Sequence, residues 1–197
     1  MYSNGRATDL GAPAGFTHSG ALGISDSGTI LAQAWSTGHV NRRFVAVPRK
    51  GWYVWKRIKT GLPGYYPQSI EAIYAAGHLV GTVNRPGHKL SQRAAVWLSS
   101  SSGTYDRATL LPSGPRLVYS RGLAVAASAD HVVVGGVAQT RGSLTTGALW
   151  VRVGQGPFRA ASDLFGIAPD FTGGRGKHFF IVGEDNIDSA NYGEPIP

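Results

Sequence analysis

Residues 21–32 have the sequence ALGISDSGTILA, in which two apolar runs flank a turn that contains Gly28. Apolar runs on either side of turn residues are typical of β-hairpins. The same arrangement returns at residues 72–81 and again at 123–135. A spacing of about fifty residues between such copies is typical of repeat architectures. The sequence therefore predicts a repeated β-fold.

Each hairpin is followed by two further strand-like segments. The third segments are residues 44–47, 94–98 and 147–151, and the fourth are residues 56–62, 107–111 and 159–164. Trp97 and Trp150 mark equivalent places in two copies, and Pro48 occupies that place in the first. Four short strands per repeat are typical of a propeller blade. We predict an all-β, β-propeller-like domain over residues 1–164, with four-stranded blades at about 20–62, 67–111 and 120–164 and a leading strand at 6–10.

A family resemblance lies at the start of this pattern. Thr8-Asp9-Leu10-Gly11, followed by residues 21–32, is similar to the HAF repeat of bacterial surface and extracellular proteins. The consensus of that repeat runs T-D-L-G and, after a gap, G-I-N-D-S-G-Q-V-V-G. Ser25 stands for the usual Asn, and the His-Ala-Phe triplet is reduced to residues 43–45. Over residues 8 to about 164, the resemblance implies a propeller-like repeat fold and no particular activity.

Three blades are too few for a closed ring. Propellers usually contain four to eight blades, and an open stack leaves sheet edges free to pair with other chains. We therefore expect the ring to be incomplete within one chain and to be completed by neighbouring chains. Residues 165–197 are expected to form an acidic arm that adds a strand to a neighbour, through His178, Phe179, Phe180, Ile181, Val182, Glu184, Asp185 and Asp188.

Charge is unevenly distributed along the chain. Residues 1–160 carry 17 Lys and Arg against 5 Asp and Glu, whereas residues 161–197 carry 2 against 6. A basic body attracts acidic protein surfaces, anionic lipids or phosphates. The expected partners are other protein chains, in a homo-oligomer or a larger complex, and possible glycans. Nucleic acid is possible but not favoured.

No residue pattern predicts chemistry. The chain has no Cys, and its six His lack the paired spacing of a metal site. No Ser, His and acid can be assigned the roles of nucleophile, base and orienting group. We therefore expect no enzyme activity, catalytic residue, cofactor or metal.

A signal peptide and an apolar run long enough for a membrane span are also missing from the sequence, which favours a soluble chain located on a virion or an extracellular surface after assembly.

One cluster combines aromatic rings with cations, the combination that stacks on sugars or bases while holding acidic groups. Its members are Trp52, Tyr53, Trp55, Arg57, Tyr65 and Tyr66. Strand alternation predicts that Trp52 and Tyr53 point to opposite faces. At least one ring is therefore expected outside the core, where it could bind a partner. The alternative is that these rings pack between blades.

Three classes of function fit this sequence. We favour a non-enzymatic assembly module, for example a head or tail component of a virus particle or part of a surface array. A carbohydrate-binding, lectin-like propeller is the second class. A sialidase-like glycoside hydrolase is the third, and it is not favoured because one chain supplies too few blades.

Overall fold

A computed structural model of the chain describes residues 2–3, 6–7, 9–38, 41–87, 92–100, 103–113, 117–140 and 145–160. The predicted arm at 165–197 lies outside these residues. Within them the chain forms strands and turns without a helix, which confirms the predicted all-β class. The strands are β1 (Tyr2–Ser3), β2 (Arg6–Ala7), β3 (His18–Ile24), β4 (Ile30–Trp35), β5 (Arg42–Arg49), β6 (Trp52–Arg57), β7 (Tyr66–Ile73), β8 (Leu79–Asn84), β9 (Arg93–Trp97), β10 (Thr109–Leu110), β11 (Leu117–Ala127), β12 (His131–Thr140), β13 (Thr145–Val153) and β14 (Arg159–Ala160).

Twelve of the strands form three sheets of the same construction. Sheet 1 contains β3–β6, sheet 2 contains β7–β10 and sheet 3 contains β11–β14, and each strand pairs antiparallel with the next along the chain. The remaining strands, β1 and β2, form a two-stranded sheet. The prediction of three similar four-stranded sheets is confirmed.

Sheet 2 packs between the other two sheets. Successive side chains along its strands point to opposite faces, so one set contacts sheet 1 and the other set contacts sheet 3. Leu79 and Trp97 join a core with residues of sheet 1, whereas Val80 and Val96 join a core with residues of sheet 3. We call the face of a sheet that contacts the next sheet its following face, and the opposite side its preceding face. The following faces carry Leu31, Val45 and Val47 in sheet 1, and Val80, Ala94 and Val96 in sheet 2, all of them buried.

The first strand of every sheet is bulged at an equivalent place. The register shifts between Ala21 and Gly23 in β3, between Ile70 and Ala72 in β7, and between Gly122 and Ala124 in β11. A bulge increases the local bend and twist of a strand. The repeat therefore includes the irregularity of the first strand as well as the strand order.

A tryptophan ties each sheet to the chain segment that precedes it. The indole N–H of Trp97 donates to the carbonyl of Lys59 at 2.6 Å, and that of Trp150 donates to the carbonyl of Pro112 at 2.9 Å. In sheet 1 the same type of bond comes from the outer strand β6, where Trp55 donates to the carbonyl of Leu10 at 3.2 Å. Buried indole N–H groups need such partners, so these bonds fix where each sheet sits on the preceding segment.

Candidate functional site

The aromatic and cationic cluster begins at the hairpin between β5 and β6. Lys50 and Gly51 both have positive φ, at 34° and 91°, as expected for a two-residue type I′ turn. The turn sets Arg49 opposite Trp52 and Pro48 opposite Tyr53. The residues beside a two-residue turn form a hydrogen-bonded pair, and such pairs alternate with non-bonded ones. Pro48 therefore lies in a non-bonded pair, where its missing N–H costs nothing.

Strand alternation separates the side chains of β6 into two sets. Trp52 is 68% exposed, and Val54 is 38% exposed on the same side of the strand. Tyr53 and Trp55 point to the other side and pack against the buried Ile30, Ala32 and Ala46 of sheet 1. This distribution agrees with the alternation that the sequence predicts, and it leaves Trp52 as the exposed ring.

Trp55, Tyr65 and Tyr66 each have a defined place in the fold. Besides its bond to Leu10, Trp55 contacts Phe44 edge to face, with ring centroids 6.4 Å apart. Tyr65 packs against the core between sheets 1 and 2. Tyr66 is exposed at the start of β7, and its hydroxyl accepts a hydrogen bond from Asn84 at 3.0 Å.

The six candidate residues therefore do not share one surface. Trp52 and Arg57 lie at opposite ends of β6, whereas Tyr66 belongs to sheet 2. The exposed set on β6 is Trp52 and Val54, beside the exposed cations Arg49 and Lys50 of the hairpin. We call these four residues the β6 edge. Residues 49–57 contain four cations and no acid, so the charge of this segment favours an acidic partner.

β6 also differs from the outer strands of the other sheets in length. It has six residues, whereas β10 and β14 have two each. It is the last strand in the order of sheet 1. A long outer strand offers more backbone for pairing than a short one, because short edge strands protect a sheet against added strands.

Titratable groups with shifted pKa values make structural contacts within and between the sheets. Burial raises the pKa of the Glu71 carboxyl, but hydrogen bonds from Arg121 and Ser69, together with the charge of Arg121, outweigh this effect and leave the pKa below its usual value. Arg121 donates to Glu71 at 2.8 Å and so joins β11 of sheet 3 to β7 of sheet 2. Burial raises the pKa of Tyr105 to about 12, and its hydroxyl donates to the carbonyl of Gly77.

His78 has a comparable structural role. Its Nδ1 accepts a hydrogen bond from the backbone N–H of Ser99 at 3.0 Å. Burial lowers the pKa of the imidazole, and the charge of Arg152 lowers it further. Both effects favour the neutral ring, which is the form whose Nδ1 can accept a hydrogen bond. His131, which the sequence places at the equivalent position, is exposed at the start of β12.

Comparison of the chain with protein-family models, curated proteins and solved structures found no match. Among the described residues, no group of three or more His, Cys, Asp or Glu is placed to hold a metal ion. The same residues contain no helix long and apolar enough to cross a membrane.

The roles of Trp97, Trp150 and the Arg121–Glu71 pair are not predicted above. Trp97 and Trp150 each lie 38 residues after the residue whose carbonyl accepts the indole bond. This shared spacing is a signal that the repeat contains. The pairing of Arg121 with Glu71, which are 50 residues apart, has no such signal. The candidate arm residues, His178–Val182 with Glu184, Asp185 and Asp188, lie outside the described ranges.

Proposed function

We propose that this chain is a non-enzymatic, propeller-like module that binds neighbouring protein chains, as a component of a virus particle or a surface array. The observation that carries the proposal is the exposure of Trp52 beside Val54 on the outer strand of sheet 1. Trp and Arg are enriched among the residues that dominate binding energy at protein interfaces. The β6 edge combines both types.

The backbone of β6 supports a protein partner. An extended peptide adds to a sheet by main-chain hydrogen bonds, while its side chains enter sites that alternate along the strand. Six residues of outer strand provide room for such an addition, and the cations at both ends favour an acidic peptide.

The stacking of the sheets supports the propeller-like part of the proposal. Three antiparallel four-stranded sheets follow one another face to face, in the order in which they occur in the chain. The resemblance of Asp9-Leu10-Gly11 and residues 21–32 to the HAF repeat implies the same architecture. Because closed propellers have at least four blades, the three sheets do not complete a ring by themselves.

The proposal is tested by the assembly state of a Trp52→Ala variant. We expect native mass spectrometry of the wild-type chain to show a complex, and the variant to dissociate at a protein concentration where the wild type remains assembled. Truncation of a central interface aromatic typically costs about 2–4 kcal/mol of binding free energy. The matched control is Ile24→Ala, since Ile24 is also well exposed but lies on β3. A wild-type chain that is monomeric at all concentrations, or a complex that the Trp52 variant does not weaken, would overturn the proposal.

Glycan binding is the second candidate, and the exposed ring of Trp52 favours it, because aromatic faces stack on sugars. A glycan array separates the two functions. A lectin-like module would retain a specific glycan that Trp52→Ala releases, whereas an assembly module would show a change in mass without glycan binding.

A further inference from the structure

The two-stranded sheet at the start of the chain matches the outer half of the larger sheets. β2 consists of Arg6–Ala7, and β14, the outer strand of sheet 3, consists of Arg159–Ala160. β2 pairs antiparallel with β1, as β14 pairs antiparallel with β13. By this correspondence, β1 and β2 are a third and a fourth strand without the first and second strands.

The segment after β2 confirms its position. Leu10 packs against the preceding face of sheet 1, and its carbonyl accepts the indole N–H of Trp55. Lys59 and Pro112 accept the corresponding bonds in the segments that lead from sheet 1 to sheet 2 and from sheet 2 to sheet 3. The segment at Leu10 therefore leads into sheet 1 from a sheet of the same kind.

Sheet 3 has an apolar face at the other end of the stack. The following-face positions of sheet 2, Val80 and Val96, are fully buried under sheet 3. By strand register their counterparts in sheet 3 are Gly135 and Leu149. Leu149 and Val133, which lies two residues before Gly135 on the same face, are only half-buried. Val153, at the end of the strand that contains Leu149, is 56% exposed. This face has the composition of one that another sheet covers.

The sequence supplies a segment suited to that place. As an extended strand, His178–Val182 would place Phe179 and Ile181 on one side and Phe180 and Val182 on the other. A strand that is apolar on both sides is typical of a sheet covered on both faces, as β8 is. Residues 161–197 also carry a net negative charge beside a basic body, which favours contact between the two.

We infer that His178–Val182 pairs with β1 of the same chain, in a fourth sheet that lies between the following face of sheet 3 and the preceding face of sheet 1. One sheet then uses both ends of the chain. It covers Val133 and Leu149 and gives β1–β2 its missing neighbour. Four sheets also reach the smallest number of blades that propellers usually close with.

Disulfide trapping in the full-length chain tests this pairing, and the absence of Cys from the sequence makes it specific. Ser3→Cys is combined in turn with Phe179→Cys, Phe180→Cys and Ile181→Cys, and each double variant is oxidised. Disulfides form only where the two Cα atoms are roughly 4.4–6.8 Å apart. We expect an intrachain disulfide, seen as a faster monomer band on a non-reducing gel. It should form either with positions 179 and 181, which alternate along the strand, or with a single one of the three positions. Disulfides only between chains would place the segment on a neighbouring copy and overturn the inference, as would the absence of any disulfide.

A second measurement does not depend on disulfide geometry. The thiol of Leu149→Cys is labelled with a maleimide in the full-length chain, with and without the added substitution Phe179→Asp or Phe180→Asp. We expect at least one of these Asp variants to speed labelling severalfold, because a charge in the covering strand displaces it. Val153→Cys, already exposed, is the control whose rate should stay constant. Equal labelling rates of the Leu149 thiol in all three backgrounds would overturn the inference.

Discussion

The close contact of Gly122 in sheet 3 with Val80 in sheet 2 predicts that Gly122→Ala destabilises the protein. Gly122 lies in β11 at the bulge, and a Cβ placed on it would overlap the Cγ2 of Val80. The carbonyl oxygen of Gly81 would be 3.3 Å from the same Cβ. Val80 is fully buried and cannot move into solvent. Overpacking of this kind costs about 1–3 kcal/mol of unfolding free energy.

In a domain of this size, each kcal/mol shifts Tm by roughly 2–4 °C. We therefore expect Gly122→Ala to lower Tm by roughly 2–12 °C in a thermal melt followed by circular dichroism. Gly147→Ala is the matched control in the same sheet, because a Cβ there meets no atom within 4 Å. That change should leave stability unchanged or raise it by up to about 1 kcal/mol, since Gly weakens a strand.

A double-mutant cycle isolates the contact. Val80→Ala alone should cost about 1.5–3 kcal/mol through lost burial and a small cavity. In the double variant the new methyl group at position 122 enters the space that Val80 vacates, so the combined loss should be smaller than the sum by more than about 0.5 kcal/mol. Additive effects, or a Gly122→Ala variant as stable as wild type, would refute the packing of β11 on β8.

Three other predictions follow from individual contacts. The pKa of His78 is lowered in the folded state. Its contribution to stability is therefore present above about pH 6.5 and is lost as pH falls through the folded pKa. His78→Gln should flatten the fall in Tm between pH 7 and 5. Trp97→Phe leaves the carbonyl of Lys59 without its donor and should cost about 1–3 kcal/mol in urea unfolding. Arg121→Ala removes the ion-pair partner of Glu71. The change should raise the Glu71 pKa in an NMR titration, and an unchanged pKa would contradict this expectation.

The strand order of the three sheets could be predicted from the sequence because it depends on local signals. Apolar runs and Gly turns such as Gly28 and Gly77, both with positive φ, fix hairpins between residues close in the chain. The stacking of sheets depends on side chains far apart in sequence. Alternation alone does not show whether Val80 faces sheet 1 or sheet 3, and only the core contacts with Val134 and Trp150 decide it.

For the candidate site, the sequence predicts the side of the strand on which each ring lies but not which side is covered. Alternation assigns Trp52 and Tyr53 to opposite sides of β6, as the structure has them. It does not say which side is covered, because that depends on Leu10 and its neighbours, more than 40 residues away along the chain. Tyr65 and Tyr66 are close to β6 in sequence, but β7 belongs to the next sheet, so closeness in sequence overestimated the extent of the site.

In sheet 1 the fourth strand carries the indole that the third strand carries in the other sheets. Strand register places Ala46, and not Pro48, at the third-strand position that Trp97 and Trp150 hold in sheets 2 and 3, so the third strand of sheet 1 has no indole to bond the preceding segment. The bond to Leu10 is made instead by Trp55, which pairs with Ala46. The strand that makes this bond begins at Trp52, which is exposed, so the strand that holds sheet 1 to the segment before it also presents the exposed edge that we propose as the binding site.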